Sequence, residues 1–179
     1  TSGVLVKGID AARANAVLDL TRWLVPLPSG QKPLLASLDT DAAPTPGEPP
    51  LPGLFLGQEL ARKLKAQPGD KLRLISPQIG LDTLQGADPS QAAAPRSQEF
   101  RLAGIFSSGF DEYDRRLVLT GLRPAQQLVG QGDVVTGLEL RTQSVEQARQ
   151  TGGEVISLLG GAPYRSLDWE ELNHNLFTA

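Results

Sequence analysis

Two stretches decide how this chain is read: Lys71-Leu72-Arg73-Leu74-Ile75-Ser76, and farther on Glu99-Phe100-Arg101-Leu102-Ala103-Gly104-Ile105-Phe106. The first alternates apolar and polar side chains with the period of two that a half-buried strand requires, and the second starts the same way before turning apolar. Between them lies 77–95, with Pro77 and Pro95 at its ends and Gly80, Gly86 and Pro89 inside. Strand, long connection and strand predict an extended hairpin whose tip projects from the body. Connections longer than about 12–15 residues in compact domains are usually functional or disordered, and the pattern leaves both open.

Working outward, Gly3–Ile9 reads as a strand. Asp10 is placed to cap a helix over Ala11–Leu24, with Ala14, Val17, Leu18, Thr21 and Leu24 on one face. Pro26–Gly53 holds eight of the fourteen prolines. Proline fixes φ and removes a backbone donor, so this stretch is expected to be an extended surface excursion. A short strand, Leu54–Leu56, a helix, Gly57–Lys65, and a turn at Pro68-Gly69-Asp70 lead into the hairpin. Beyond it come a charged stretch, Asp111–Arg116, a strand, Leu117–Thr120, and a short helix, Pro124–Val129. Val134–Thr142 reads as a further strand. Ser144 with Gln147 forms a capping box for a helix to Leu159, and Gly152 and Gly153 each weaken that helix by roughly 1 kcal/mol relative to Ala. Tyr164–Leu167 reads as a last strand, and Asp168 with Glu171 as the cap of a last helix carrying Trp169, Leu172, Asn173 and Leu176. The class is α+β, and 134–167 would suit half of a split βαβ sandwich.

Composition removes several kinds of chemistry. The 179 residues carry 17 Lys and Arg against 20 Asp and Glu, a net charge of −3, which is no nucleic-acid footprint. There is no Cys, and so no disulfide framework, thiol nucleophile or thiolate metal site. The single histidine, His174, leaves little for a multi-histidine metal site or a Ser–His machine. No stretch approaches the roughly 18 consecutive apolar residues of a membrane-spanning helix. There is no Met, and the sequence opens Thr1-Ser2-Gly3, so the expectation is a piece of a longer protein.

No catalytic, cofactor or metal site is assigned. Ser107-Ser108-Gly109 follows a strand but fails the register of a nucleophile elbow, and Ser108 reads as a turn residue. Gly130-Gln131-Gly132 lacks the helix signal of a nucleotide loop. Asp111, Glu112 and Asp114 adjoin Arg115 and Arg116, which points to a solvated, ion-paired face rather than to a metal.

Short pieces then recur in a characteristic order. They are Gly3-Val4-Leu5 with Gly8-Ile9-Asp10, Leu56-Gly57-Gln58-Glu59-Leu60-Ala61, Gly69-Asp70, Ser76-Pro77, and Pro95-Arg96. They continue through Phe100, Gly104-Ile105-Phe106, Gly109-Phe110-Asp111-Glu112-Tyr113-Asp114, Ala125-Gln126, Val135-Thr136-Gly137-Leu138-Glu139, and Asp168-Trp169 with Asn173 and Leu176-Phe177. In this order the chain resembles the periplasmic domain of the LolC/LolE family, the transmembrane subunits of the lipoprotein-releasing ABC transporter.

The resemblance implies a MacB-type periplasmic domain on the periplasmic side of the bacterial inner membrane, anchored by membrane helices in the full-length protein. Its porter-like α/β-sandwich lobe would be 1–25 plus 107–179. A β-rich inserted lobe, 26–106, would carry a hook-like loop at 77–95. The role implied is non-catalytic partner binding and conformational relay, with ATP hydrolysis in a separate cytoplasmic ATPase subunit. The implied partners are a periplasmic lipoprotein carrier, the lipoprotein cargo, a paralogous or identical permease subunit and that ATPase, with no nucleic acid and no cofactor. The residues it assigns to partner binding are Arg73, Pro77, Gln78, Ile79, Leu81, Leu84, Pro89, Pro95 and Arg96. The loop departs from the family in being longer and richer in Ala (Ala92-Ala93-Ala94). Carrier-binding and lipoprotein-binding paralogues both remain open. So does another cargo, as in a MacB-type efflux permease or one regulating cell-wall hydrolases.

Overall fold

A computed structural model of the chain describes residues 1–39, 47–76, 95–168 and 171. They fall into two compact units, Thr1–Gly137 and Leu138–Ala179.

The first unit is built on one five-stranded mixed sheet, in the order β1-β5-β2-β4-β3. Its strands are β1 (Leu5–Ile9), β2 (Gly53–Gly57), β3 (Lys71–Ser76), β4 (Arg96–Phe106) and β5 (Leu117–Gly121). β1 runs parallel to β5 and β2 parallel to β4, while β2–β5 and β3–β4 are antiparallel. Every residue of β2 and β5 is buried, because both faces of the sheet are covered. On one face Phe55, Phe106, Leu117 and Leu119 meet Leu20, Leu24 and Leu38. On the other, Leu54, Leu56, Phe100, Leu102 and Val118 meet Leu60 and Ala61 of α3 (Gln58–Leu64). β4 shifts register at one point, so that Leu54 aligns with Leu102 but Phe55 with Gly104. α5 (Leu122–Val129) approaches both edge strands, β1 and β3, and the sheet is curled accordingly. Where α5 crosses β1, a Cβ on Gly8 would collide with Ala125.

The expected helix over Ala11–Leu24 is instead two single turns, α1 (Ala14–Val17) and α2 (Leu20–Trp23). Asp10 Oδ1 accepts from the Ala12 and Arg13 N–H groups at 3.0 and 3.3 Å and so closes the turn ahead of α1, whose own N-cap, Arg13, has no side-chain cap bond. The break between them follows from Asn15. Its Oδ1 accepts from both the backbone N–H and the hydroxyl of Thr21, at 3.1 and 2.7 Å, in competition with the helical ladder.

The proline-rich excursion is more than a surface loop. Leu38, on a 3-10 turn at Leu35–Leu38, is fully buried against the sheet, and Pro33 packs on Gly104. A side chain at Gly53 would strike the Ser37 carbonyl, so glycine is what lets this segment lie on β2. Nearby, the buried Thr120 hydroxyl donates to the Gly53 carbonyl at 2.8 Å.

Residues 111–116, read from sequence as a charged stretch, form the helix α4 (Asp111–Arg116). Its i,i+4 pairs Asp111–Arg115 and Glu112–Arg116, at 2.7 and 3.1 Å, stabilise it locally.

The second unit holds α6 (Ala148–Leu158). The helix runs through Gly152, where Ser166 lies too close to admit a Cβ. Its N-cap is Gln147, without a side-chain cap bond, so the expected Ser144 box does not form. A hydrogen bond from its own backbone N–H, and after it one from the Ser144 hydroxyl, holds the Glu146 carboxyl below its ordinary value. Asp168 Oδ1 accepts from the Glu171 N–H at 2.8 Å, while Trp169, Leu172, Asn173 and Leu176 of the expected last helix lie outside the described residues.

The strands expected at Val134–Thr142 and Tyr164–Leu167 do not form. Leu138–Thr142 does alternate, but a strand needs a neighbour for its N–H and C=O groups, and among the described residues neither segment has one. Val134, Val135, Leu138, Leu140, Tyr164 and Leu167 are consequently exposed.

The two lobes implied by the resemblance, 1–25 plus 107–179 and 26–106, both contribute to the five-stranded sheet: β1 and β5 come from one, β2, β3 and β4 from the other.

Candidate partner-binding hairpin

The long-connection hairpin is present as a paired stem. β3 and β4 align residue for residue from Lys71↔Arg101 to Ser76↔Arg96. The turn at Pro68-Gly69-Asp70 leads into β3. Gly69 takes a φ of +104°, a backbone conformation that favours glycine, and Asp70 Oδ2 accepts from the Gln67 N–H at 2.8 Å. Two further bonds, Gly69 N–H to the Leu102 carbonyl and Leu102 N–H to the Asp70 carbonyl, both 2.8 Å, tie the turn to β4. The stem's inner face, Leu72 and Leu74, packs against the sheet core beside Phe100.

Of the residues assigned to partner binding, Arg73 lies on the solvent face of β3, while Pro95 and Arg96 open the second strand of the stem; all three are exposed. Pro77, Gln78, Ile79, Leu81, Leu84 and Pro89 lie outside the described residues. Arg96 reaches the C-terminal end of α5, where its guanidinium covers Gly130. Gly130 adopts a φ of +71°, and any side chain there would displace that guanidinium. The placement is favourable, because a cation meets the unpaired carbonyls that close a helix.

Sequence reasoning missed Glu99. It stands directly across from Arg73, and its Oε1 accepts from Arg73 Nη2 at 2.8 Å. The hydrogen bond from Arg73, and then its charge, hold the Glu99 carboxyl below the ordinary glutamate value, with Lys71 adding a smaller push the same way. Lys71 itself is paired with Glu48 at 2.6 Å. Next to them Glu48 Oε2 and Arg101 Nε are buried without a hydrogen-bond partner among the described residues. The signal for Glu99 was its sign, opposite to that of Arg73, but using it required the register.

The Gly109–Asp114 motif proves architectural at its acid. Asp114 is buried and its Oδ1 accepts from the Ser108 N–H and the Ser108 hydroxyl, both at 2.8 Å. Gly57 lies against the Asp114 backbone, where no side chain would fit. Ser108 is therefore a turn residue, as its setting implied. Phe110 and Tyr113 form an exposed edge-to-face pair with ring centres 6.0 Å apart. Among the described residues no three His, Asp or Glu side chains converge as metal ligands, and no helix is long and apolar enough to cross a membrane.

The described geometry is that of an α+β domain with a paired hairpin stem at one edge of its sheet. Comparison with known proteins carries this further. The chain is 28% identical, over 126 residues, to the lipoprotein-releasing system transmembrane protein LolC of Xylella fastidiosa strain Temecula1, covering 70% of this chain and 28% of that protein. The LolC of Neisseria meningitidis serogroup B is 27% identical over 132 residues, 72% of this chain and 30% of its own length. These homologues bear out the LolC/LolE resemblance. The chain spans less than a third of the length of the curated relatives it matches. No protein-family model matches it.

Proposed function

We propose that this chain is the periplasmic domain of a lipoprotein-releasing ABC permease subunit, of the MacB type. In that role it binds partners and relays motion without catalysing a reaction. ATP hydrolysis belongs to a separate cytoplasmic subunit, and the domain passes lipoprotein from the inner membrane to a periplasmic carrier. The observation that carries the proposal is the β3–β4 stem, whose last pair, Ser76↔Arg96, adjoins the connection that begins at Pro77. A hook-like loop needs such a base, because a tip that receives a partner gains affinity when its root is already ordered. Ile79, Leu81 and Leu84 supply apolar side chains to that loop, and Arg73 and Arg96 supply charge at its base. The names of the relatives favour lipoprotein release over efflux or hydrolase regulation.

The test is to replace residues 78–94 with a short Gly-Ser linker and titrate the organism's purified lipoprotein carrier into the folded domain. Binding is expected to fall below detection while the thermal transition is retained. Undiminished binding overturns the assignment.

A further inference from the structure

On the solvent face of the stem, alternate positions run Lys71, Arg73, Ile75 along β3, opposite Arg101, Glu99, Ser97 along β4. Each cation of β3 is held by a carboxylate, Lys71 by Glu48 and Arg73 by Glu99. Ile75, opposite the small Ser97, is left uncovered and is 61% exposed. The face therefore offers a planar guanidinium fork beside an apolar side chain, at the base of the connection that begins at Pro77. A guanidinium fork matches a carboxylate, and Ile75 matches apolar surface flanking it.

We infer that Glu99 is an internal competitor on this face: it occupies the Arg73 fork in the free domain, and an acidic side chain of the protein partner engages Arg73 by displacing it. The inference rests on the partner-binding function proposed above. The Arg73 and Glu99 side chains are 62% and 47% exposed. An exposed pair of this kind biases an equilibrium by no more than about five-fold, so Glu99 sets the affinity of the face without closing it. It also imposes a selection, since a partner without a carboxylate in reach gains nothing by opening the pair.

The experiment is calorimetric titration of the organism's purified lipoprotein carrier into the whole domain and its variants. Glu99→Gln is expected to tighten binding by roughly two- to five-fold, the range an exposed ion pair allows. Arg73→Gln weakens it, and in the Arg73→Gln background Glu99→Gln has no further effect. Glu48→Gln, which changes net charge equally but frees Lys71 instead, gives a smaller gain than Glu99→Gln. Unchanged or weaker binding by Glu99→Gln overturns the inference while leaving the proposed function intact. So does a gain that survives without Arg73, or an equal gain from Glu48→Gln. Failure of the unaltered domain to bind the carrier at all overturns both.

Discussion

Leu38 offers the most direct test of the proline-rich excursion as part of the fold. It is fully buried in a cluster with Phe55, Leu119, Leu20 of α2 and Leu24, yet it comes from a segment whose composition is that of a loop. Replacing it with Ala removes three carbon groups, worth about 0.8 kcal/mol each in transfer free energy. The site has little freedom to collapse, because Gly53 brings the Ser37 carbonyl hard against β2 and the Leu38 carbonyl crowds Gly121. Part of the vacated volume therefore remains as a cavity, and the total loss is expected at about 3–4 kcal/mol. For a domain of this size that lowers the melting temperature by roughly 6–16 °C. Circular-dichroism melts and urea titrations of the parent and Leu38→Ala domains measure it. A loss under about 1 kcal/mol, the range of an ordinary surface substitution, would refute the placement of this segment in the core.

Two further outcomes follow from the geometry. Gly57→Ala would drive a Cβ into the Asp114 backbone, and is expected to cost about 1–3 kcal/mol in urea unfolding by forcing α3 and α4 apart. The Arg73–Glu99 pair should appear in the pH dependence. Because the folded-state value of Glu99 is lowered, its contribution is present above the ordinary value of 4.5 and is lost as pH falls through the folded value. The difference in melting temperature between the parent domain and Glu99→Gln should therefore narrow as pH is lowered from 7 through and below 4.5. A constant difference would mean that the pair contributes nothing in solution.

Elements whose partners lie close in the chain, or whose signal is intrinsic, were legible. Lys71–Ser76 forms as read, and the helix after β2 begins and ends within one residue of its expected bounds. Leu138–Thr142 carries the same alternation and stays unpaired, because period two reports a half-buried surface and not the neighbour that makes it a strand. The Asn15–Thr21 bond that divides the first helix is a side-chain contact six residues apart, invisible to a face-by-face count. Asp111–Arg116 was read only as an ion-paired face, although its acids standing four residues before arginines are the spacing of the helix that forms. At the hairpin, Arg73, Pro95 and Arg96 were assigned through family resemblance. Glu99 was not, because a connection as long as 77–95 does not specify which residues face one another; the hydrophobic pattern on the buried side does.

The order of strands also determines when the sheet can assemble. β3 and β4 meet across one connection, whereas among the described residues β1 pairs only with β5, joining Leu5 to Leu117 across most of the first unit. Contacts that distant close late and slow folding, because the intervening chain must surrender its freedom before any pairing is gained. A chain emerging from its N-terminus would therefore carry β1 unpaired until β5 has been made, with an open edge vulnerable to other strands. Folding of this domain should be governed by the docking of its first strand rather than by the hairpin that gives it its surface.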